Sequence, residues 1–481
     1  MLLLLVACTS PLSASAKPAP EEVARTLAHA PADQDGIVYE IYVRSFQDTD
    51  GDGVGDLDGV RAHLPYLDWL GVDTLWLMPL FPGDGPAGYG VTDHTSIRDE
   101  YGGAEALFDL VDAAHDRNML VILDLPINHV SVEHAWFRDA NAGQGRERFV
   151  FGSSQWDEYR WFPMGDGSFY YAFFGADFPD LNWREESVRA EMEGMFTMWL
   201  EAGVDGFRLD AVSTLIETPT EITNTSDTHE LLREIATLVH DVAPDALLLA
   251  EAGEANTSAN MTYLGDETPE ADLVLDFPRR DALLEAAESG SVERLVAVLA
   301  EEGEDARNVA PFLGSHDVSR LASVVRDPTM RKALMAANLT LPGRPVLYYG
   351  EELDIHDVLD TGGKDYAWRG PMPWDSTRNG GFTSGTPWMA ADPGYMTGTN
   401  VDDELHSAES MLLFVNSLTT LRDENSALSA GSFEIVESQG GVLTFHRENG
   451  ADTLDVTLQF SGKVGCSVVS RSASGERVVG C

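Results

Sequence analysis

The sequence predicts an α/β protein: a closed (β/α)8 TIM barrel with a subdomain inserted after the third strand and a small C-terminal antiparallel β domain. Three observations carry this reading. Eight short, nearly continuous apolar runs recur along the chain, amphipathic helical patterns separate them, and polar residues gather where the runs end. Strands covered on both faces lose the polar alternation of an exposed sheet, and intervening helices impose a parallel order. Eight such units favour closure into a barrel. An open doubly wound sheet is the alternative, but no glycine fingerprint for a dinucleotide follows the first run.

Residues 1–34 stand apart from the fold. "MLLLLVACTS" is an apolar run too short to span a bilayer and reads as the end of an export signal. "LVAC" resembles the bacterial lipobox, which would make Cys8 a lipidated N-terminus on the cell envelope; an ordinary cleaved signal and a soluble secreted protein are the alternative. "SPLSASAKPAPEE" then reads as a flexible tether. The barrel is assigned to residues 35–427. Its strands are "VYEIYVRSF", "DTLWLMPL", "LVILDLPIN", "GFRLDA", "ALLLAEA", "DLVLDFP", "NVAPFLGSHD" and "RPVLYYGEE". Between them, segments such as "AEALFDLVDAAHDRN", "SVRAEMEGMFTMWLEAG" and "THELLREIATLVHDVAP" repeat apolar residues three and four apart, as amphipathic helices do. Residues 130–183, after the third strand, are dense in Trp, Tyr and Phe and form the inserted subdomain. From 428 to 481 the period changes to two, broken by Gly, Asn and Ser, as in a small antiparallel sheet.

Charge excludes some functions. The chain carries 31 basic and 80 acidic residues, a formal charge of −49. Such a surface repels nucleic acid and anionic membranes, so neither is expected as a partner except through the N-terminal lipid. The cations are almost all Arg, with Lys only at Lys17, Lys332, Lys364 and Lys463. An acid-rich, Lys-poor composition suits salty surroundings, and a high-GC genome would produce the same bias. Of three cysteines, Cys466 and Cys481 fall in the last sixteen residues, and an oxidising compartment would let them pair. A monomer is expected.

The first strand leads into "DTDGDGVGDL", with carboxylates at Asp48, Asp50, Asp52 and Asp56 separated by glycines. Alternating oxygen donors in a tightly turning loop suit a hard cation such as Ca²⁺. The loop is not an EF-hand, because its twelfth position is Gly59 rather than a bidentate Glu. A solvated acidic turn is the competing reading.

A barrel presents its chemistry at the C-terminal strand ends. Four ends here carry polar residues without a packing role: "DLPINH" (124–129), "GFRLDA" (206–211), "LLLAEA" (247–252) and "GSHD" (314–317). Arg208 and Asp210, two apart on one strand, face the same side. A guanidinium there favours the ionised carboxylate that a nucleophile requires. Glu251 follows an apolar run with no cation beside it in sequence, an environment that raises a carboxyl's pKa and keeps it available as an acid. Two carboxyl groups tuned apart are what glycoside hydrolysis with retention uses.

Together these four segments resemble the signature regions of the α-amylase family of glycoside hydrolases, in order and spacing across nearly the whole barrel. The resemblance implies Asp210 as nucleophile, Glu251 as general acid/base and Asp317 as the third carboxylate that holds sugar hydroxyls. It implies Tyr89, His129, Arg208, His316 and Arg320 as substrate contacts, with Asp124 and Asn128 bracing the site, Asn128 often near a metal. For the two histidines a structural hydrogen-bonding role is the alternative. The acidic loop is similar to the calcium loop of the branch that holds oligo-1,6-glucosidases, trehalose synthases and intermediate-type α-amylases, which implies ligation of structural Ca²⁺ by Asp48, Asp50, Asp52 and Asp56 and by the Val54 carbonyl. "RGPMPWD", "NGGFTSGTPW" and "FPDLN" point to the same branch.

Some positions depart from the family pattern. Gly90 replaces a frequent Asp in "GYGVTDH", Ser315 replaces Asn, and Ala211, Val212 and Ser213 follow the nucleophile without a Lys-His pair. Relatives that prefer α-1,6 bonds often carry Val where Ala211 stands, which favours α-1,4 cleavage of starch-derived glucans or maltooligosaccharides. An α-glucosidase, an oligo-1,6-glucosidase or a trehalose-synthase-like transglycosidase is the alternative within the class. From another class, a catalytically silent carbohydrate-binding barrel is opposed by the intact Asp210, Glu251 and Asp317.

Overall fold

The computed structural model describes residues 36–152, 159–265, 268–358, 366–473 and 475–481. Residues 1–34, where the sequence places an export signal, Cys8 and a tether, lie outside the described residues. Eight parallel strands form one sheet: β1 (Ile37–Ile41), β2 (Val72–Leu77), β3 (Leu120–Leu125), β4 (Gly206–Leu209), β5 (Leu247–Ala250), β6 (Leu273–Leu275), β7 (Val309–Ala310) and β8 (Val346–Tyr348). From β1 to β7 each strand pairs with the next, and β1 also pairs with β8. The N–H of Val346 donates to the Pro311 carbonyl (2.8 Å) and that of Arg344 to the Val309 carbonyl (2.9 Å), which completes the circle. All eight runs read as strands are strands of this barrel.

The barrel explains its own hydrophobic pattern. Alternate residues point inward, so Val38, Trp76, Ile122, Leu247, Leu249, Leu273, Leu275, Phe312 and Val346 fill the interior. The residues between them, such as Leu248 and Ala250, face the helices and join the larger core. Both faces are therefore dry, and a strand such as Ile37–Ile41 is buried at every position. The covering helices bury one stripe each: Glu186–Glu201 turns Val188, Met192, Met195, Phe196 and Trp199 inward. Helix Ser226–Val242 is capped by Thr225, whose side chain accepts the N–H of Thr228.

Between β3 and helix Glu186–Glu201 stands the aromatic insertion. Three short strands, Phe151–Gly152, Trp161–Pro163 and Phe169–Tyr171, form a small antiparallel sheet with the last in the centre. Its core is ring on ring, with Phe137 lying 5.1 Å from Phe149 and 4.9 Å from Tyr170. The Trp183 indole N–H donates to the Ile127 carbonyl (2.9 Å) and ties the insertion to the end of β3.

At the C-terminus, β9 (Glu434–Glu437), β10 (Val442–Asn449), β11 (Asp452–Gln459), β12 (Gly465–Ser472) and β13 (Gly475–Gly480) form an antiparallel meander. Leu443, Phe445, Leu454, Val456, Leu458 and Val468 bury its inner face. Arg447, reaching the carbonyls of Leu428 (2.8 Å) and Thr340 (3.3 Å), anchors it to the barrel's outer helix Pro328–Thr340. A disulfide joins Cys466 on β12 to Cys481, with Cα atoms 5.1 Å apart.

Candidate active site

Parallel closure brings the ends of β3, β4 and β5 side by side, and a single guanidinium occupies the junction. Arg208, in β4, is 1% exposed. Its Nη1 donates to Asp124 (2.8 Å) on β3 and to Asp210 (2.6 Å) just past β4; its Nη2 pairs with Glu251 (2.8 Å), the residue after β5. Asp124 also accepts from the Trp76 indole and the Tyr89 hydroxyl, both at 3.0 Å. After Asp210 the chain turns sharply. Ala211 takes the left-handed conformation (φ 49°), and its N–H donates to Glu251 (3.0 Å).

Two sequence-based expectations about charge change here. Glu251, with no cation near it in sequence, has Arg208 against it, because a barrel makes neighbours of residues that the chain separates. Burial still pushes its carboxyl up, against the pull of Arg208. Asp210 was expected to be held ionised by Arg208. Burial instead pushes it well up, and Glu251, Asp124 and Asp317 add to the push that Arg208 opposes. One guanidinium shared among three carboxylates does not neutralise them all.

The loop after β7 supplies His316 and Asp317. The His316 Nε2 lies 2.9 Å from Asp317 Oδ2 and 2.5 Å from the Tyr89 hydroxyl, and its ring stacks on Tyr89 at 5.4 Å. Burial alone would lower the His316 pKa, but the carboxylates of Asp317 and Glu40 raise it to about 10. Burial likewise disfavours an ionised Asp317. The His316 imidazolium and the Arg369 guanidinium, whose Nη2 is 3.3 Å away, nevertheless hold that carboxyl well below the usual range.

Tyr89, His129, Asp210, Ala211, Glu251 and Asp317 line one cavity of about 750 Å³ at the barrel mouth, roofed by Phe173, Phe174 and Phe178 from the insertion. Burial lowers His129 to about 4, leaving a neutral ring whose Nε2 lies 3.2 Å from the Tyr89 carbonyl. Asn128 is fully buried and donates to the Thr214 carbonyl (2.5 Å), bracing the turn after β4. Arg320 does not reach the cavity. It is 1% exposed, its Nη1 donates to the Tyr349 carbonyl (2.7 Å), and its guanidinium lies over the Tyr348 and Tyr349 rings. The reason is topological: Arg320 opens the helix Leu321–Val324, which turns the chain back toward β8 rather than across the mouth. As a substrate contact it is corrected to a support beneath the site.

The description "Alpha amylase, catalytic domain" matches residues 40–431, most of the chain and all the strand ends just described. The chain belongs to the α-amylase family. It is 31% identical over 478 residues to the trehalose synthase/amylase TreS of Mycolicibacterium smegmatis, covering 86% of this chain and 80% of that one. It is 28% identical to an oligo-1,6-glucosidase of Bacillus cereus, covering 89% and 91%. Among solved structures, the α-amylase from H. orenii superposes with a TM-score of 0.79 at 29% identity, covering 91% of this chain and 92% of that one. These relatives make this chain an enzyme of the O-glycosyl hydrolase class, in the branch that its loops resemble.

Further members of the site carried no signal of their own in the sequence. Glu40 and Trp76 sit inside apolar strands, and Arg369 lies in "RGPMPWD", a segment legible only as a branch marker. Phe173, Phe174 and Phe178 were legible as part of an aromatic insertion but not as a cavity roof. In the acidic loop, Asp48, Asp50 and Asp56 offer oxygens within 4.8 Å of one another, the one such group of potential ligands among the described residues. Asp52 does not join them. Exposed at the loop tip, it turns back to accept the N–H of Val54 (2.7 Å), satisfying a backbone donor instead. Asp56 also caps helix Leu57–Ala62 by accepting the Gly59 N–H (2.7 Å). The segment "NGGFTSGTPW" packs on this loop: the Thr383 hydroxyl donates to Asp48, and the Trp388 N–H donates to the Gly53 carbonyl (2.9 Å). Gly53 has φ 99°, and a Cβ there would lie 2.0 Å from the Thr386 carbonyl oxygen.

Proposed function

We propose that the protein is a retaining glycosidase that cleaves α-1,4-glucosidic bonds in starch-derived glucans or maltooligosaccharides. The observation that carries the reading is the pair of carboxyl groups, Asp210 and Glu251, gripped by adjacent nitrogens of Arg208 at the cavity floor. Retention uses two carboxyls about 5–5.5 Å apart, and a shared guanidinium holds such a pair at short range. In the reactive arrangement the proton sits on Glu251 and Arg208 supports Asp210 as the carboxylate; Asp210 attacks the anomeric carbon while Glu251 donates its proton to the departing glycosidic oxygen. The resulting glycosyl ester on Asp210 is released by a water that Glu251 deprotonates, restoring both groups. Asp317, anionic and half-exposed to the cavity, accepts hydrogen bonds from sugar hydroxyls. Ala211, small and lining the cavity beside Asp210, supports the α-1,4 preference.

A second reading has the TreS-like kinship behind it. Transfer of the glycosyl group to a sugar acceptor uses the same ester, and the rings of Phe173, Phe174 and Phe178 suit an acceptor sugar's apolar face. Incubation with starch, maltotriose, isomaltose, trehalose and sucrose, with products separated by chromatography, distinguishes the two. Asp210→Asn and Glu251→Gln should each lower the rate on the preferred substrate by about 10³-fold or more with the fold retained. Activity within tenfold of wild type for either variant would refute the assignment.

We also propose that Ca²⁺ binds between Asp48, Asp50 and Asp56. A set of carboxylate oxygens in a glycine-relieved turn fits a hard cation. Burial pushes Asp56 up while Asp48 adds to the push, a repulsion that a divalent ion would relieve. Its contribution is to pin the loop after β1 against the segment after β8.

A further inference from the structure

On β1, beneath the mouth of the barrel, lies a carboxylate that the reaction above does not use. Glu40 is fully buried in a strand whose other residues are apolar. Its Oε1 lies 2.5 Å from His316 Nδ1 and accepts the His316 backbone N–H at 3.2 Å. Its Oε2 has no hydrogen-bond partner among the described residues. On the far side of the same ring, Nε2 lies 2.5 Å from the Tyr89 hydroxyl, whose own proton goes to Asp124 (3.0 Å), and 2.9 Å from Asp317, so Nε2 too is placed to donate. A neutral imidazole has one N–H, so it cannot donate to carboxylates at both nitrogens; an imidazolium can. Resting on the glycosidase reading, we propose that Glu40 is a positioning residue. It holds the His316 ring doubly protonated and aimed at Asp317, so that the sugar bound there meets a fixed cationic donor.

The other charged groups around the ring do not reverse this. Arg369 donates through Nε to the His316 carbonyl (2.8 Å) and through Nη2 to Asp317. Arg208 is engaged by Asp124, Asp210 and Glu251. Tyr89 and Tyr348 are held neutral by burial. Two carboxylates touch the ring directly, whereas no guanidinium does. The cation in turn lowers Glu251 against the rise that burial causes, so Glu40 is linked through His316 to the acid of the reaction.

Glu40→Gln tests this, because an amide oxygen keeps both acceptor positions and removes only the charge. The His316 ring is followed by ¹⁵N NMR, assigned by its loss in His316→Gln. Its titration midpoint should fall by roughly 1–3 pH units. kcat/KM on the preferred glucoside should drop by about twofold or more at pH 9, and by much less at pH 6, where the ring is protonated in both proteins. In a His316→Gln background the same substitution should change kcat/KM by less than about threefold, because the group through which Glu40 acts is gone. An unchanged midpoint, an equal loss at both pH values, or full additivity with His316→Gln would each overturn the proposal. If the wild type cleaves no glucoside in the panel, the glycosidase reading falls, and the ring titration still decides what Glu40 does.

Discussion

Glu351, in the turn after β8, shows what burial does to a single carboxyl without a strong partner. It is 4% exposed, its Oε2 accepts only a long 3.5 Å bond from the Tyr348 N–H, and its Oε1 has no partner among the described residues. Burial pushes its pKa from 4.5 up to about 8. Between those values the unfolded chain is ionised at this position and the folded chain is not, so folding takes up a proton. The corresponding stability is fully present below the unfolded value and is lost as pH rises through the folded one. Glu302 and Glu404, each raised to about 8 by burial, act in the same direction. Glu351→Gln should therefore flatten the decline of stability with pH, gaining at least about 1.4 kcal/mol on the wild type between roughly pH 5 and pH 9. Thermal or urea unfolding at both pH values checks this; parallel pH dependences in the two proteins would contradict it.

At the scale of elements, the loop from Asp48 to Asp56 stands at the seam where the barrel closes. Barrel order makes β1 and β8 neighbours, so the connections that leave them pack together, and Asp48 is tied to Thr383 across 335 residues of sequence. An ion held by Asp48, Asp50 and Asp56 would bind the folded chain only and stabilise it by mass action. Chelation should therefore lower the melting temperature. Asp50→Ala should abolish that sensitivity at small structural cost, because Asp50 is exposed and, among the described residues, accepts only a local turn contact from the Asp52 N–H (3.0 Å). A melting curve indifferent to chelator, on protein shown by elemental analysis to be metal-free, would return the loop to an acidic turn. The C-terminal sheet is a second element with a local fastening. Its last strand, β13, lies at the sheet edge, and the bond from Cys466 to Cys481 secures the end that would otherwise fray.

For the whole molecule, the formal charge of −49 sits mostly at the surface, where carboxylates far outnumber cations. Among the described residues eight arginines are buried: Arg208, Arg279, Arg320, Arg331, Arg344, Arg369, Arg422 and Arg447. Several spend donors on main-chain carbonyls rather than on carboxylates, Arg422 on Leu339 (2.9 Å) and Arg447 on Leu428 (2.8 Å) among them. A rigid fork with five donors suits that task better than an ammonium, which is a structural reason for few lysines. The 80 acidic residues against 31 basic ones leave an excess of surface carboxylates that repel one another. Salt screens that repulsion, its range falling from about 10 Å at 0.1 M to about 3 Å at 1 M. The melting temperature should accordingly rise by several degrees between these NaCl concentrations, and a flat or falling profile in calorimetry would contradict the argument.

The barrel was legible because each strand is a short apolar run and each helix an amphipathic stripe, patterns set by local geometry and burial. The four polar strand ends were legible because a charged residue that terminates an apolar run has no packing reason to be there; Asp210, Glu251 and Asp317 stood out on that ground. The acidic loop announced itself by ligand spacing, and the tertiary structure alone decided that Asp52 satisfies its own turn instead of joining the group. Distance in space was the missing quantity. Arg208 meets Glu251 only because β4 and β5 are neighbours, and Asp210 is pushed up rather than down because the fold buries it and brings three other carboxylates onto it. Glu40 reads as a defect in an apolar strand until β1 is seen to run beneath His316. Burial and Coulomb interactions depend on what surrounds a group in three dimensions, and a one-dimensional pattern records only what precedes and follows it.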